Sequence, residues 1–269
     1  MKNVLFLLVI LFFLGCKKDA GPDPITPPAP PVIAVHSTNN VQINFTNVAG
    51  NVIIKVSKDT TYNSLTPKYT NANTDTFSVT ALKYYISNIR LKKSDGSYFT
   101  DGKYYLVDAS DSINTCKLTL QNVPVGNYVS LEYIFGVDSL RNCSGAQTGA
   151  LDPINDMFWS WSTGYIFFKF EGYSSSTTAF PFHNVQFDIG GYLTPNNNIK
   201  KITFMLNSPN LIVVDNHVSK IYLKTDLLEA FKTPATISFS ATPFLMNPSS
   251  GMVIANNYID MFMLSGIVN

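Results

Sequence analysis

Residues 77–96 read FSVTALKYYISNIRLKKSDG, and this stretch decides the fold. Phe77, Val79 and Ala81 alternate with Ser78 and Thr80, and a second strand-like run follows over residues 84–91. A period of two puts successive side chains on opposite faces of an extended chain. The run passes into Lys92-Lys93-Ser94-Asp95-Gly96. Asp-Gly between such runs signals a hairpin, because glycine takes the positive φ that a tight turn requires.

Working outward, the pattern recurs. Residues 41–45 alternate strictly, and residues 104–107, 117–120, 128–135, 165–170, 185–189, 201–206, 221–223, 236–239 and 261–264 are further candidate strands. Helix signals are scarce. Asp226 with Glu229 makes an N-terminal capping pattern before one or two turns that end at Phe231. Many short strands with turn-rich joints predict an all-β domain. The expected form is a β-sandwich or partly closed antiparallel barrel with long loops and one short helix. No composition break or fixed repeat divides residues 32–269, which are expected to form one domain.

The N-terminus has a different character. Lys2 precedes an apolar run over residues 4–14, too short to span a bilayer as a helix. It ends in Phe13-Leu14-Gly15-Cys16, which resembles a lipobox, with Phe13 where an aliphatic residue is usual. Residues 1–15 are therefore expected to be a lipoprotein signal peptide, with Cys16 acylated and holding the chain to a membrane. Residues 16–31 continue as CKKDAGPDPITPPAPP, a proline-rich tether that lacks the apolar groups for a core. The expected location is extracytoplasmic, periplasm-facing or at the cell surface.

The chain carries 19 basic and 18 acidic side chains, and loss of Lys2 with the signal peptide makes them equal. Nothing in that balance suits nucleic acid. Cys116 and Cys143 are the cysteines left in the domain. In an oxidising compartment they are expected to pair as a disulfide. There is no nucleophile elbow, phosphate-cradling glycine loop or zinc-protease helix, so the chain is expected not to be an enzyme.

The densest segment is residues 135–172, FGVDSLRNCSGAQTGALDPINDMFWSWSTGYIFFKFEG. It holds both tryptophans, Trp159 and Trp161, which share one face if the backbone is extended. After Gly164 both faces turn apolar, as in a central strand. Gly136-Val137-Asp138, then Gly149-Ala150-Leu151-Asp152-Pro153, then Met157 through Tyr165, then Phe170-Glu171-Gly172 together resemble the MbnP family of secreted copper-associated proteins. Tyr84-Tyr85-Ile86-Ser87-Asn88-Ile89-Arg90-Leu91 is similar to the family's YxxSNxxL strand. Residues 255–262, ANNYIDMF, are similar to its ADNYxDMF ending, with Asn256 in place of the usual aspartate.

That resemblance implies a specific chemistry, related to that of MopE and CorA. One tryptophan, Trp159 or Trp161 here, would be oxidised to kynurenine by a partner di-haem peroxidase-like protein of the MauG type. Opening the indole creates an aryl amine and a ketone, donors for copper that the parent ring lacks. The family's Phe-x-Phe-His-Ile-Gly-Gly strand corresponds to Phe180-Pro181-Phe182-His183, then residues 184–187, then Asp188-Ile189-Gly190-Gly191. The glycine pair aligns Asp188 with the family histidine, so His183 and Asp188 become the candidate metal ligands. Imidazole suits copper better than carboxylate. The odd separation of the two puts them on opposite faces of a regular strand unless a bulge intervenes.

Each of these residues has a plainer reading. His183 fits a hydrogen-bonded, half-buried histidine, while His217 in a turn and His36 after the tether fit exposed ones. The tryptophans fit ordinary packing or a sugar-stacking surface. The latter, with 19 Phe and 14 Tyr in the chain, supports an alternative: a surface glycan-binding β-sandwich lipoprotein of a nutrient-uptake system. Asp138 and Asp152 fit turn formation better than paired acid–base work.

Overall fold

Eighteen residues, Thr76–Lys93, run as one strand around which the rest is arranged in a computed structural model. The structure describes residues 37–58, 68–160, 164–178 and 183–269, all within the unit His36–Asn269. Cys16, the signal and tether segments, His36, Trp161 and Phe180 to Phe182 lie outside the described residues.

In chain order the first strands are β1 (Thr38–Ala49), β2 (Val52–Ile53), β3 (Tyr69–Thr70), β4 (Thr76–Lys93) and β5 (Tyr98–Asp108). A one-turn helix α1 (Ser112–Thr115), β6 (Lys117–Pro124), β7 (Gly126–Phe135) and a second short helix α2 (Ser139–Asn142) follow. Then come β8 (Phe158–Ser160), β9 (Gly164–Ser174), β10 (Asn184–Gly190), β11 (Lys200–Met205), β12 (Leu211–Val213) and β13 (Ser219–Asp226). The chain ends with β14 (Phe244–Leu245), α3 (Pro248–Asn257) and β15 (Phe262–Val268).

Two sheets form. The smaller has the order β15-β13-β1, with β2 and β6 both paired to β1. The larger runs β11-β7-β4-β9-β10-β14, with β12 on β7, β3 and β5 on β4, and β8 on β9. Strand β4 reaches four neighbours because it is long, pairing with β3 and β9 through its first half and with β5 and β7 mainly through its second; the register with β5 shifts between Ser87 and Ile89, where Asn88 has φ 51°. Such a bulge increases local twist and curls a sheet. The sandwich expectation holds, but the sheets are mixed, since β1 with β13 and β10 with β14 are parallel pairs. The Asp95-Gly96 hairpin joins β4 to β5 as its sequence predicts. Gly96 has φ 91°, and the Lys93 amide donates to Ser97 O at 2.8 Å.

Between the sheets lies an aromatic core. Phe77, Phe170, Phe187, Phe231 and Phe239 meet mostly edge to face, with Phe231 and Phe239 centroids 5.1 Å apart. Such pairs add about 1 kcal/mol each beyond burial.

Three expectations need correction. Residues 236–239 are not a strand: the Ile237 amide donates to Phe231 O at 2.9 Å and the Phe239 amide to Asp75 Oδ2 at 3.0 Å, so loop partners replace a ladder. The helix after Asp226 is a 3-10 turn, Leu227–Phe231, capped by the Asp226 carboxylate. The ten-residue helix α3 is additional, and its signal was Asn247 before Pro248: the Asn247 side chain accepts from the Ser250 amide. The expected Cys116–Cys143 disulfide is also not formed. Cys116 is buried and accepts from Asn47 Nδ2 at 3.3 Å, whereas Cys143 is exposed and donates to the Tyr192 hydroxyl at 3.3 Å. The two thiols belong to different neighbourhoods of the fold.

Candidate functional site

The site lies on the outer face of the larger sheet, opposite the aromatic core. Alternation in β9 sends Phe168 and Phe170 inward, while Phe167 and Lys169 project outward. In β4, Tyr84 and Ile86 point in and Tyr85 points out. On this outer face Tyr85, Val137, Leu151, Met157, Tyr165, Ile166 and Phe167 form a second apolar cluster. The segment from Gly149 to β8 covers it.

Polar handles fix that cover. The Tyr85 hydroxyl donates to Ala150 O at 2.8 Å and the Tyr165 hydroxyl to Leu151 O at 2.7 Å. Lys83 Nζ donates to Asn155 O at 3.1 Å, and the Ile166 amide donates to Met157 O at 2.9 Å. Burial raises both phenols above the usual tyrosine value, so they remain donors. Asp152 caps the turn Pro153–Asn155 by accepting from the Ile154 amide, as its turn reading expects. Asp138 caps α2 and accepts from Asn88 Nδ2 and the Tyr104 hydroxyl. Burial pushes the Asp138 carboxyl up, but these bonds outweigh it and hold it below the usual range. Asp138 and Asp152 thus serve as caps, on separate turns. At Gly164, where φ is 73°, the Asn142 side chain fills the space a Cβ would need and accepts from the Tyr165 amide at 2.9 Å.

Trp159 sits on β8 at the rim of this cluster and is half-buried. Its Cζ3 atom would be 3.1 Å from a Cβ on Gly190, and the Tyr165 carbonyl would be closer still. The missing side chain of Gly190 therefore lets the indole lie on β10. That placement leaves Trp159 packed rather than standing free as a sugar platform.

The proposed ligands are not brought together. Asp188 is buried on the outer side of β10, where Lys169 Nζ is 3.3 Å from Oδ1 and Gln186 Nε2 donates to Oδ2 at 2.8 Å. Burial raises the Asp188 carboxyl above its usual value, partly offset by Lys169 and Gln186. His183 precedes β10 with φ 64°, half-buried, its Nδ1 bonded to Thr177 O. This fits the plainer reading of a hydrogen-bonded histidine. Five residues of extended chain span roughly 16 Å, too far for one ion. Among the described residues no group of three or more His, Cys, Asp or Glu side chains is placed to hold a metal. The pair His183 and Asp188 does not fit copper. His217 is exposed beside a turn, as expected.

Sequence reasoning passed over Lys169, yet its signal was present: one charge in YIFFKF, a run apolar on both faces. A buried charge must be paired, so the lysine announces carboxylates nearby. Two open concavities, of about 490 and 410 Å³, flank Tyr104 and Ala150 at the margin of the cover. They are lined by Lys103, Lys117 and Arg141 among others.

Fold and site together define an all-β sandwich with a tryptophan-bearing cover on one sheet face. The MbnP family model matches residues 38–250, and the chain belongs to that family. The solved structure of MbnP from Methylosinus trichosporium is similar in fold, with a TM-score of 0.51 and 14% identity over 75% of this chain and 80% of that one. No curated protein matches the chain.

Proposed function

We propose that this MbnP-family chain is a lipid-anchored, extracytoplasmic protein that serves as substrate for a di-haem peroxidase-like partner. The partner oxidises Trp159 or Trp161 to kynurenine. The observation that supports this reading is the setting of Trp159, half-buried against Gly190 at the rim of an aromatic cluster. An indole so held is fixed in place yet lies close to the surface where a second protein docks.

In the reaction the indole C2–C3 bond breaks and an oxygen atom enters at each end. Two peroxides, consumed by the partner, are reduced to water. Hydrolysis then releases C2 as formate and leaves an aryl amine and a ketone. The chain contributes the held side chain and no catalysis of its own. Its membrane attachment is through acylated Cys16. Since His183 and Asp188 do not fit one copper ion, copper bound here would take donors from the oxidised tryptophan.

The test is co-production of the full chain with a di-haem peroxidase-like protein from the same organism. Mass analysis of the peptide holding Trp159 and Trp161 is expected to show conversion of tryptophan to kynurenine. Trp159→Phe and Trp161→Phe variants identify the residue. An unmodified peptide from cells that make an active partner would overturn the proposal.

A further inference from the structure

Lys169 is 3% exposed on a strand that is otherwise apolar at its centre. Its ammonium lies 3.3 Å from Asp188 Oδ1, 3.0 Å from Glu171 Oε1 and 3.2 Å from Asp156 Oδ2. These carboxylates come from different elements: Glu171 from β9 itself, Asp188 from β10, and Asp156 from the turn leading into β8 and Trp159. We propose that Lys169 acts as a built-in cation at this node, doing the joining that a metal ion does elsewhere and closing Asp188 to metal.

The arms are unequal. Asp188 is 4% exposed at its side chain, Glu171 34% and Asp156 78%. Solvent screening makes the Asp156 arm weak by itself. The Asp188 arm is desolvated on both partners, so loss of one leaves the other buried and uncompensated. A lysine here has no competitor: burial opposes its charge, but Asp188, Glu171 and Asp156 prevail and raise its affinity for the proton. An ion arriving from solvent would have to displace an ammonium tethered to the same site. Lys169 is thus a positioning residue for the cover and its tryptophan. This inference does not depend on whether Trp159 is oxidised.

The test uses the full chain and two probes, calcium chloride and copper sulfate. Lys169→Ala is expected to lower Tm on the order of 10 °C. The variant also leaves three oxygen-donor carboxylates facing one gap, a set suited to calcium. Saturating calcium is expected to restore on the order of 5 °C in Lys169→Ala and to leave the natural chain unmoved. In a Trp161→Phe background, Trp159 emission should shift red on loss of Lys169 and return with calcium. A merely space-filling role would give no calcium response, and that outcome overturns the proposal. Copper titration needs no Lys169 variant: the natural chain and Asp188→Asn are expected to give the same isotherm. Loss of a copper-binding step in Asp188→Asn would equally overturn it.

Discussion

The larger sheet has two covered faces, and they are covered by different means. On the inner face, Phe77, Phe170, Phe187, Phe231 and Phe239 share one apolar cluster with Val41, Phe45 and Leu223 of the smaller sheet, and only a few buried polar contacts, such as the Tyr84 hydroxyl donating to Asn47 Oδ1 at 2.8 Å, cross it. On the outer face a chain segment lies over Tyr85, Tyr165 and Phe167, held through the tyrosine hydroxyls, through Lys83 to Asn155 O and through Lys169 to the exposed Asp156. Alternation along β4 and β9 supplies both faces from the same strands. Apolar burial is large but non-directional, whereas hydrogen bonds and ion pairs fix where a covering segment stops. The inner face is suited to stability, and the outer face to holding one indole at a set place.

The widest gap between the faces should appear with Phe170→Ala. It removes a ring that contacts Phe77, Phe187, Phe231 and Phe239, and about 3–5 kcal/mol should be lost in denaturant unfolding. Trp159 emission should stay unchanged in the folded state, since its cluster lies across the sheet. Gly190→Ala acts on the other face. The new methyl group would meet the Tyr165 carbonyl and Trp159, costing about 1–3 kcal/mol, and the emission of Trp159 should shift. An unshifted emission would mean that Gly190 does not seat the indole. Tyr85→Phe is milder. Loss of the bond to Ala150 O should cost about 1 kcal/mol, read as faster hydrogen exchange across residues 149–157 with β4 unaffected.

Much of the inner face was legible in the sequence. The Asp95-Gly96 turn and the apolar centre of β9 follow from local rules, which the structure keeps, whereas the alternation that starts at Phe77 and Val79 slips phase at a register shift before Ala81, so that Leu82 takes the next core position. Other exceptions have long-range causes. Residues 236–239 have strand composition, but Asp75, more than a hundred residues away, claims the Phe239 amide while the Ile237 amide turns back to Phe231. The parallel pairing of β1 with β13 joins residues far apart in sequence, and no periodicity encodes it. On the outer face, the tryptophan pair and the glycine after Ile189 stand out in the sequence, but their mutual placement does not. Asp188 was legible as unusual, but its partner Lys169 was not, because the lysine lies across a strand pair rather than along the chain. The pairing Asp188↔Lys169 comes from the β9–β10 register, which spacing alone does not set.

The smallest effect concerns the two thiols, which the two faces also separate. Cys116 belongs to the inner core and accepts from Asn47 Nδ2. Burial pushes its thiol up to about 11 from 9.0, with the nearby Asp108 and Asp111 adding to the rise and Thr115 and Asn47 opposing it. Since the thiolate is the reacting form, Cys116 should resist a thiol reagent near neutral pH until the chain unfolds. Cys143 is exposed and should react at once. A raised folded value means that the stability Cys116 contributes is complete below about 9 and is lost as pH climbs through about 11. Cys143→Ser should leave Tm within about 1 °C, because surface changes away from special features are nearly neutral. A Cys116–Cys143 bridge in the natural protein would reverse each result: neither thiol would react, and Cys143→Ser would destabilise the chain by about 2–5 kcal/mol. Such a bridge would tie the inner core to the rim of the outer cover, so the two faces would no longer be independent.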